Sequence, residues 1–392
     1  MWHTTKVMRG NLLRVVAHDA FPLTSDGERS PLPTDFVMGI GGASETLLTL
    51  TPQRQVSRAL DLGCGSGVQT LFLNAERIIA TDIDDRALEA AAHSFHMSGF
   101  RQVDDQTWRD GDRLITLLRG SLFEPVENQR FDLIVANPPF IISGDGHVHR
   151  DSPFVADGLT RELLQRVVPH LNTNGIAIML TSWLHLRGEA WQDRVSRWIP
   201  EGVGAWVAQR EVLNLDEYVQ VWGDDAGLSA ADRQAWRARL RALDAEAVGF
   251  GWVVIEPARS QPESMTSAAV GTQADAPRWL RMEDVSTAAR VPSGEEVLAQ
   301  LAACRHEPTA VEALTTRWNF AEKHWRGDLA LDPIGAALLK ELRSGHVLES
   351  ALEAVAERFP VDPADLRVFG LGLTLELARL GYLLPDAIPH GI

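Results

Sequence analysis

The sequence predicts an α/β protein with a mostly parallel sheet and helices on both of its faces. Short apolar segments of strand length alternate with helical segments between residues 57 and 255. Several apolar segments run directly into glycine or polar residues, as parallel strands do where their carboxyl ends meet a ligand. The pattern is typical of Rossmann-like folds, in which this edge of the sheet holds the binding site.

The first strand–helix–strand unit is the most regular part of the sequence. Residues 57–62 predict a strand, a glycine turn follows, and the segment Val68–Ala75 predicts a helix. The next strand, 78–81, ends at an aspartate, and Asp84 is expected to cap an alanine-rich helix that continues to about Met97. A parallel sheet is therefore expected to begin here.

The remaining segments divide the chain into four parts. Further strands are predicted at 114–118, 131–136, 176–180, 206–208 and 251–255, with a helix at 158–171. The predicted parts are N-terminal strands and a lead-in to the site (1–50), the sheet domain (51–258), a linker or surface excursion with one strand at 279–282 (259–294), and a helical unit (295–392). The end of the helical unit resembles a winged helix.

Composition limits the partners of the chain. Its 392 residues are 45% hydrophobic and carry a formal charge of −16, which disfavours nucleic acid because binding a phosphate backbone requires Lys and Arg. Cys64 and Cys304 are too few for a disulfide framework, and neither is expected to bind a metal. The sequence shows no signal peptide and no apolar run of membrane-spanning length, so we expect a cytoplasmic protein.

Glycines and acids at the first two strand ends predict a nucleoside cofactor. Gly63, Gly65 and Gly67 let the backbone approach a ligand, and the following helix presents free N–H groups to it. Asp82 lies about 20 residues after Asp61, the spacing at which a carboxylate accepts both ribose hydroxyls. A dinucleotide-dependent dehydrogenase is the alternative, but its glycines are spaced Gly-x-Gly-x-x-Gly. The spacing Gly-x-Gly-x-Gly favours S-adenosylmethionine (SAM).

Four motifs lie at successive strand ends: Asp61–Gly67, Thr81–Asp84, Gly120–Phe123 and Asn137–Phe140. Together they resemble the small-methyltransferase-domain branch of class I SAM-dependent methyltransferases, which has a Rossmann-like, seven-stranded sheet. The branch includes enzymes that methylate the glutamine amide of release factors and the exocyclic amines of rRNA bases. The resemblance covers residues 60 to 260 or so. Two further segments, 39–44 and 149–152, are similar to those of an actinobacterial subgroup.

The resemblance implies which residues contact the cofactor. Asp61 is expected near the methionine end of SAM, and Ser121 and Leu122 beside the adenine, where an ordinary turn is the alternative interpretation. The implied cofactor-binding set is Asp61, Gly63, Cys64, Gly65, Asp82, Ile83, Ser121, Leu122 and Asn137.

The segment Asn137–Phe140, named the reaction loop from here on, predicts a nitrogen acceptor. An amide or aromatic amine is a poor nucleophile because its lone pair is delocalised. Hydrogen bonds from its N–H to the Asn137 side-chain oxygen and the Pro138 carbonyl would restore sp³ character. Pro138 and Pro139 stiffen the turn, and Phe140 can stack on a planar acceptor. These four residues are the predicted catalytic residues, and they are expected to act mainly by positioning.

Other polar and aromatic residues favour structural roles. His147, His149, Arg150 and Asp151 follow the reaction loop and could contact substrate, but a polar surface loop is the favoured interpretation. A further set is interpreted as core residues or as solvated surface: Trp183, Trp191, Trp198, Trp206, Trp222, His185, Arg187, Arg194, Arg197 and Arg210.

Three functional classes remain open. The first is N-methyl transfer to an amide or amine of a protein, peptide or small natural-product substrate. The second is base methylation in RNA or DNA, which the charge disfavours. The third uses SAM without methyl transfer, as in an intramolecular ring closure of the aziridine type. Relatives in the actinobacterial subgroup carry an additional N-terminal domain that is missing here, so a separately encoded small subunit is expected to replace it.

Overall fold

The chain folds into two compact units, residues 1–286 and 287–392. The computed structural model describes residues 2–21, 32–33, 35–142, 154–257, 279–305, 310–320 and 324–385. Among these residues, none of the helices combines the length and the apolar character needed to cross a bilayer.

The first unit is organised around one large sheet. Its elements in chain order are β1 (His3–Arg9), β2 (Leu12–His18), α1 (Gly42–Leu50), β3 (Val56–Leu62), α2 (Val68–Phe72), β4 (Ala75–Asp82), α3 (Asp85–Met97), β5 (Arg101–Asp104), β6 (Thr107–Asp110), β7 (Arg113–Arg119), β8 (Phe131–Ala136), α4 (Gly158–Arg166), β9 (Leu171–Leu186), α5 (Trp191–Ser196), β10 (Val203–Asn214), α6 (Leu215–Asp225), α7 (Ala230–Ala242), β11 (Ala245–Pro257) and β12 (Leu280–Asp284). Short 3₁₀ turns occupy Glu124–Val126 and Val168–His170. The expected α/β class is confirmed.

Strand order places the site at a reversal in the sheet. The order is β12-β10-β11-β9-β8-β3-β4-β7-β6-β5, and β3 pairs in parallel with both β4 and β8. Connections from β3 run towards one edge, and those from β8 run towards the other. Because such crossovers are right-handed, α2 and α3 cover one face and α4 covers the opposite face. The crevice between β3 and β8 is therefore the expected ligand position.

The predicted count of seven strands is wrong for this sheet, which has ten strands in the part of the chain that the structure describes. The additional strands all lie at its edges. The hairpin of β5 and β6 was not predicted, since every residue of β5 is exposed and no hydrophobic alternation marks it as a strand. At the other edge, β12 pairs in parallel with β10, within the range expected to be a linker. The strand predicted at 279–282 is thus part of the sheet.

Three further boundaries differ from the sequence prediction. Helix α2 ends at Phe72 rather than Ala75, because β4 already begins at residue 75. The helix predicted to reach residue 171 ends at Arg166 and continues as a 3₁₀ turn. Strand β9 runs from Leu171 to Leu186, well beyond the segment 176–180. Long β9, β10 and β11 therefore project past the carboxyl ends of the central strands.

The core of the first unit lies against the central strands. Buried side chains of β3, β8 and β9 pack with those of α4 and α5, including Leu163, Trp191 and Val195. On α3, Asp84 is the N-cap and accepts a hydrogen bond from the Arg86 N–H, as predicted. The strands β1 and β2 form a separate hairpin, and the backbone of β2 donates to Ser94 of α3 and to Ser98, which caps that helix.

The second unit is helical, with a small two-stranded sheet. Its elements are α8 (Gly294–Arg305), α9 (Ala310–Thr315), β13 (Trp318–Phe320), α10 (Pro333–Arg343), α11 (Leu348–Ala356), α12 (Pro363–Arg379) and β14 (Leu383–Pro385). Strands β13 and β14 pair antiparallel. Their buried residues Trp318 and Leu383 pack in one core with apolar residues of α9 to α12. The winged-helix interpretation and the four predicted domain ranges stay predictions.

Candidate active site

The turn after β3 leaves room for a ligand. Gly63, Gly65 and Gly67 all have positive φ angles, of 73°, 52° and 77°. A Cβ at Gly63 or Gly65 would meet no atom within 4 Å, so the backbone there borders open space. A Cβ at Gly67 would instead lie 2.8 Å from a ring carbon of Phe95 on α3. Two glycines therefore open the turn towards the site, and the third lets α2 pack closely on α3.

Asp82, at the end of β4, holds the glycine turn from the side. Its carboxylate accepts hydrogen bonds from the Gly65 N–H at 2.8 Å and the Asp84 N–H at 3.1 Å. Burial raises the pKa of Asp82, against the opposing effect of these backbone bonds. Each carboxylate oxygen can accept a second bond, so two acceptor positions remain for a pair of hydroxyls. These positions are compatible with the ribose role that the spacing predicts, which stays a prediction.

Asp61 is buried with one carboxylate oxygen satisfied and one available. Its Oδ2 accepts from the Thr70 N–H at 2.9 Å and the Thr70 hydroxyl at 2.5 Å. Its Oδ1 is buried and has no hydrogen-bond partner in the described part of the chain. Burial raises the pKa of Asp61 to about 7. A ligand ammonium group at Oδ1 would supply the missing bond and favour the ionised carboxylate.

Thr70 was not singled out in the sequence, although it fixes the orientation of Asp61. It lies in the first turn of α2, is fully buried, and contacts the carboxylate through both its amide and its hydroxyl. A threonine in a short helix after the turn gives a weak signal, because buried threonines also serve simply as packing residues.

The end of β7 lies beside the end of β4. The Gly120 N–H donates to the Asp82 carbonyl at 3.0 Å, which brings Ser121 and Leu122 next to Asp82. Leu122 has a φ of 48°, so the turn is tight and non-helical. Ile83 is 64% exposed, as an apolar residue bordering a nucleobase site would be. Their assignment to the adenine stays a prediction.

Cys64 is buried inside the glycine turn. Its N–H donates to the Thr81 carbonyl at 2.8 Å, so the backbone of the turn is tied to β4. Burial raises the pKa of the Cys64 thiol, and the nearby Asp82 and Asp61 carboxylates raise it further. Cys64 and Cys304 are both free thiols. Cys64 is consequently a neutral packing residue, and its assignment to the cofactor stays a prediction.

The reaction loop starts at the strand next to the glycine turn. Leu62 of β3 is in register with Ala136 of β8, so Asn137 follows directly beside Gly63. Asn137 is half-buried, and its Oδ1 is buried without a partner among the residues described. Pro138 is buried and Pro139 is exposed. The structure thus brings an unused amide oxygen to the reversal point between β3 and β8.

Side chains from four later elements contact the reaction loop and the residues that follow it. The Ser182 hydroxyl of β9 donates to the Phe140 carbonyl at 2.6 Å. Phe250 of β11 meets Phe140 edge-on, with the ring centroids 6.0 Å apart. Tyr218 of α6 and Trp236 of α7 bond the main chain of Ile142. None of these four residues was picked out from the sequence as a site residue, since each lies far from the motif.

The remaining sequence candidates are structural where they are described. Trp183, Trp191, Trp198 and Trp206 are buried, which confirms their core assignment, and Trp222 is half-buried. The His185 ring shares a 2.6 Å hydrogen bond with the Gln209 side-chain oxygen. Four arginines contact neighbouring side chains: Arg187 with Glu246, Arg194 with Asp157, Arg197 with Glu189, and Arg210 with Thr46. His147, His149, Arg150 and Asp151 lie outside the described residues, as does the segment 149–152.

Residues 38–182 match the family model of the methyltransferase small domain. This range contains every predicted cofactor-binding and catalytic residue. The cofactor of the matched region is S-adenosylmethionine, and the unpartnered Asp61 oxygen, the acceptor positions of Asp82 and the open space over Gly63 and Gly65 fit it.

Two curated relatives are glutamine methyltransferases. A ribosomal protein uL3 glutamine methyltransferase from Bradyrhizobium diazoefficiens is 28% identical over 53% of this chain and 70% of that enzyme. A release factor glutamine methyltransferase from Xylella fastidiosa is 35% identical over 27% of this chain and 37% of that enzyme. The chain thus spans little more than a third of the second relative.

Solved structures are similar at a lower level. A 16S rRNA methyltransferase from T. thermophilus, in complex with AdoMet and guanosine, is 12% identical over 66% of this chain and 51% of that chain. Its TM-score is 0.32, too low to bear on the site.

Proposed function

We propose that the chain is a SAM-dependent N-methyltransferase that acts on an amide or amine of a protein, peptide or small substrate. The observation that carries the proposal is the buried, unpartnered Oδ1 of Asn137 beside the glycine turn. A buried acceptor without a donor is unfavourable by about 1–3 kcal/mol, so it is expected to receive a donor from the substrate. An N–H group meets that need, and an ether or thioether would not.

The chain's residues would act by positioning. The Asn137 oxygen and the Pro138 carbonyl would accept hydrogen bonds from the acceptor N–H groups and direct the nitrogen lone pair towards the cofactor. SAM supplies an electrophilic methyl group when bound. The new N–C bond forms as the S–C bond breaks, and the N–H proton passes to water. Holding the two reactants in line replaces a strong base as the source of rate.

The relatives' printed activities support the amide as acceptor. Both are glutamine methyltransferases, one for ribosomal protein uL3 and one for a release factor. A glutamine side chain offers two N–H donors, which matches two acceptors in the reaction loop. The charge of −16 also favours a protein or small-molecule acceptor over RNA. A separately encoded partner subunit stays a prediction.

Methyl-labelled SAM tests the reaction class. The protein is incubated with purified uL3, with a release factor and with cell extract, and the products are separated into protein, RNA and small-molecule fractions. We expect label in protein or in a small amine. Label confined to RNA would instead show base methylation, and substrate turnover without S-adenosylhomocysteine would show ring-closure chemistry.

Asn137→Ala tests the residue that carries the proposal. We expect SAM affinity within about threefold of the wild type and a turnover lower by roughly 100-fold, the usual effect of losing one key polar contact in a transition state. Asn172→Ala is the matched control, since Asn172 lies near the start of β9, at the amino ends of the central strands, and its side chain donates to Asp132. Equal turnover in the two variants would refute the role of Asn137.

A further inference from the structure

The main chain of Ile142, two residues after the reaction loop, is held from two sides. Its N–H donates to the Tyr218 hydroxyl oxygen at 2.6 Å, and its carbonyl accepts from the Trp236 indole N–H at 2.9 Å. Ile142 is 4% exposed, Tyr218 is fully buried, and Trp236 is 1% exposed. Both bonds are therefore shielded from water in the intact fold.

The two side chains come from consecutive helices that pack through the same rings. Tyr218 lies on α6 and Trp236 on α7, and their rings meet edge-on with centroids 5.4 Å apart and an interplanar angle of 70°. In the sequence, both helices lie in the connection from β10 to β11, which leaves the sheet at the carboxyl ends of the central strands. The helix pair thus presents one packed aromatic pair to Ile142, just after the reaction loop.

An aromatic contact links this unit to the loop itself. Phe250 lies 5.9 Å from the Tyr218 ring and 6.0 Å from the Phe140 ring. The Phe140 carbonyl is held separately by the Ser182 hydroxyl. Side chains from four elements therefore contact Phe140 and Ile142. Pro138 and Pro139 lie between these residues and Asn137.

We propose that α6 and α7 are a positioning device for the reaction loop, with Tyr218 and Trp236 as positioning residues that set where the Asn137 oxygen stands. The proposal rests on the proposed N-methyltransferase function. A loop that acts by alignment loses rate when displaced by a fraction of an ångström, although its chemistry is unchanged. The contacts that would provide this alignment are long-range: Ile142 and Trp236 are separated by 94 residues in the sequence.

Tyr218→Phe isolates the Tyr218 hydroxyl, because the ring and its packing remain. We expect amide exchange of Ile142, followed by mass spectrometry, to accelerate at least tenfold. SAM affinity should stay within threefold, and turnover of the acceptor labelled in the preceding experiment should fall tenfold to 100-fold with KM for SAM unchanged. A residue that merely stabilised the fold would raise exchange throughout the first unit and leave turnover per folded molecule unaltered.

The only other tyrosine of the chain, Tyr382, provides the matched control. Its hydroxyl donates to the Gly327 carbonyl at 3.0 Å in the second unit, so Tyr382→Phe removes a comparable bond away from the loop. We expect Tyr382→Phe to leave Ile142 exchange and turnover at wild-type values.

Two results would overturn the inference. One is unchanged Ile142 exchange in Tyr218→Phe, and the other is a loss of turnover no greater than in Tyr382→Phe. If the wild-type protein methylates no nitrogen acceptor at all, the proposed function fails, and the exchange of Ile142 still decides whether the helix pair fixes the loop.

Discussion

The cofactor side and the acceptor side of the sheet edge are built in opposite ways. On the cofactor side, the described hydrogen bonds to the two carboxylates join residues close in sequence: Asp82 to Asp84, Asp61 to Thr70, and Gly65 to Asp82, with separations of 2, 9 and 17 residues. On the acceptor side, the bonds to the loop and Ile142 span 42, 76 and 94 residues. Local motifs thus shape the expected cofactor pocket, and long-range contacts fix the loop at which the acceptor is expected.

The largest expected effect comes from the cofactor side. Asp82→Ala removes the acceptor of the Gly65 N–H and the carboxylate expected at the ribose, and each hydrogen bond to a charged group is worth about 1.5–3 kcal/mol. We therefore expect SAM affinity, measured by calorimetry, to fall by more than about 100-fold.

Asp85→Ala is the control for charge, because Asp85 is the next acid on α3 and pairs only with an exposed arginine among the described contacts, Arg119. Its SAM affinity should match the wild type. A folded Asp82→Ala protein that binds SAM normally would contradict the cofactor side as described.

The comparison explains what could be predicted from the sequence. Short motifs at strand ends predict the glycine turn, Asp61, Asp82 and the reaction loop. The register of the strands brings them together. Ser182, Tyr218 and Trp236 could not be found this way, because nothing in their local sequence shows which backbone groups they meet. Tyr218 reads as one apolar position of an amphipathic helix, and only the fold brings its hydroxyl to Ile142.

The same limit applies to the fold. The central strands were predictable because they are buried on both faces and end in turns, as in β8, whose predicted range of 131–136 is the observed one. Strand β5 has four exposed residues and is held by its pairing with β6. Edge strands of this kind depend on a partner, so their own residues carry little signal.

A smaller effect concerns the protonation of Asp61. Its folded pKa of about 7 is raised above the ordinary value of 3.8 by burial. The unliganded fold thus binds more protons than the unfolded chain between pH 4 and 7 or so, and its stability falls as pH rises through this window. An ammonium group at Oδ1, by contrast, binds the ionised carboxylate of Asp61, so its binding is favoured at higher pH. A ligand α-ammonium group begins to lose its own proton near pH 8, so SAM affinity should increase about fivefold from pH 6 to pH 7.5.

Asp61→Asn separates this effect from that of Asp82, whose pKa is also raised. The amide keeps an acceptor for Thr70 and cannot titrate. We expect weaker SAM binding at pH 8, a flatter pH profile, and a melting temperature that no longer falls as pH rises. A wild-type pH slope in Asp61→Asn would assign the titration to Asp82.

The smallest expected effects come from the N-cap residues of α3 and α6. They compare the two sides directly, because each helix supports one of them. Asp84 caps α3 beside Asp82, and Asn214 caps α6, which carries Tyr218, accepting from the Asp216 and Glu217 N–H groups at 3.0 Å. Replacing either cap by alanine is expected to cost about 1 kcal/mol and to lower the melting temperature by roughly 2–4 °C.

Equal losses of stability should have unequal consequences. Loosening α3 disturbs Asp82, because the Asp84 N–H donates to its carboxylate, so Asp84→Ala should weaken SAM binding by up to about fivefold. Loosening α6 disturbs Ile142, so Asn214→Ala should lower turnover by a similar factor and leave SAM affinity unchanged. If both variants shifted the same parameter, the two sides would form one cooperative unit, and the separation of cofactor binding from acceptor alignment would be wrong.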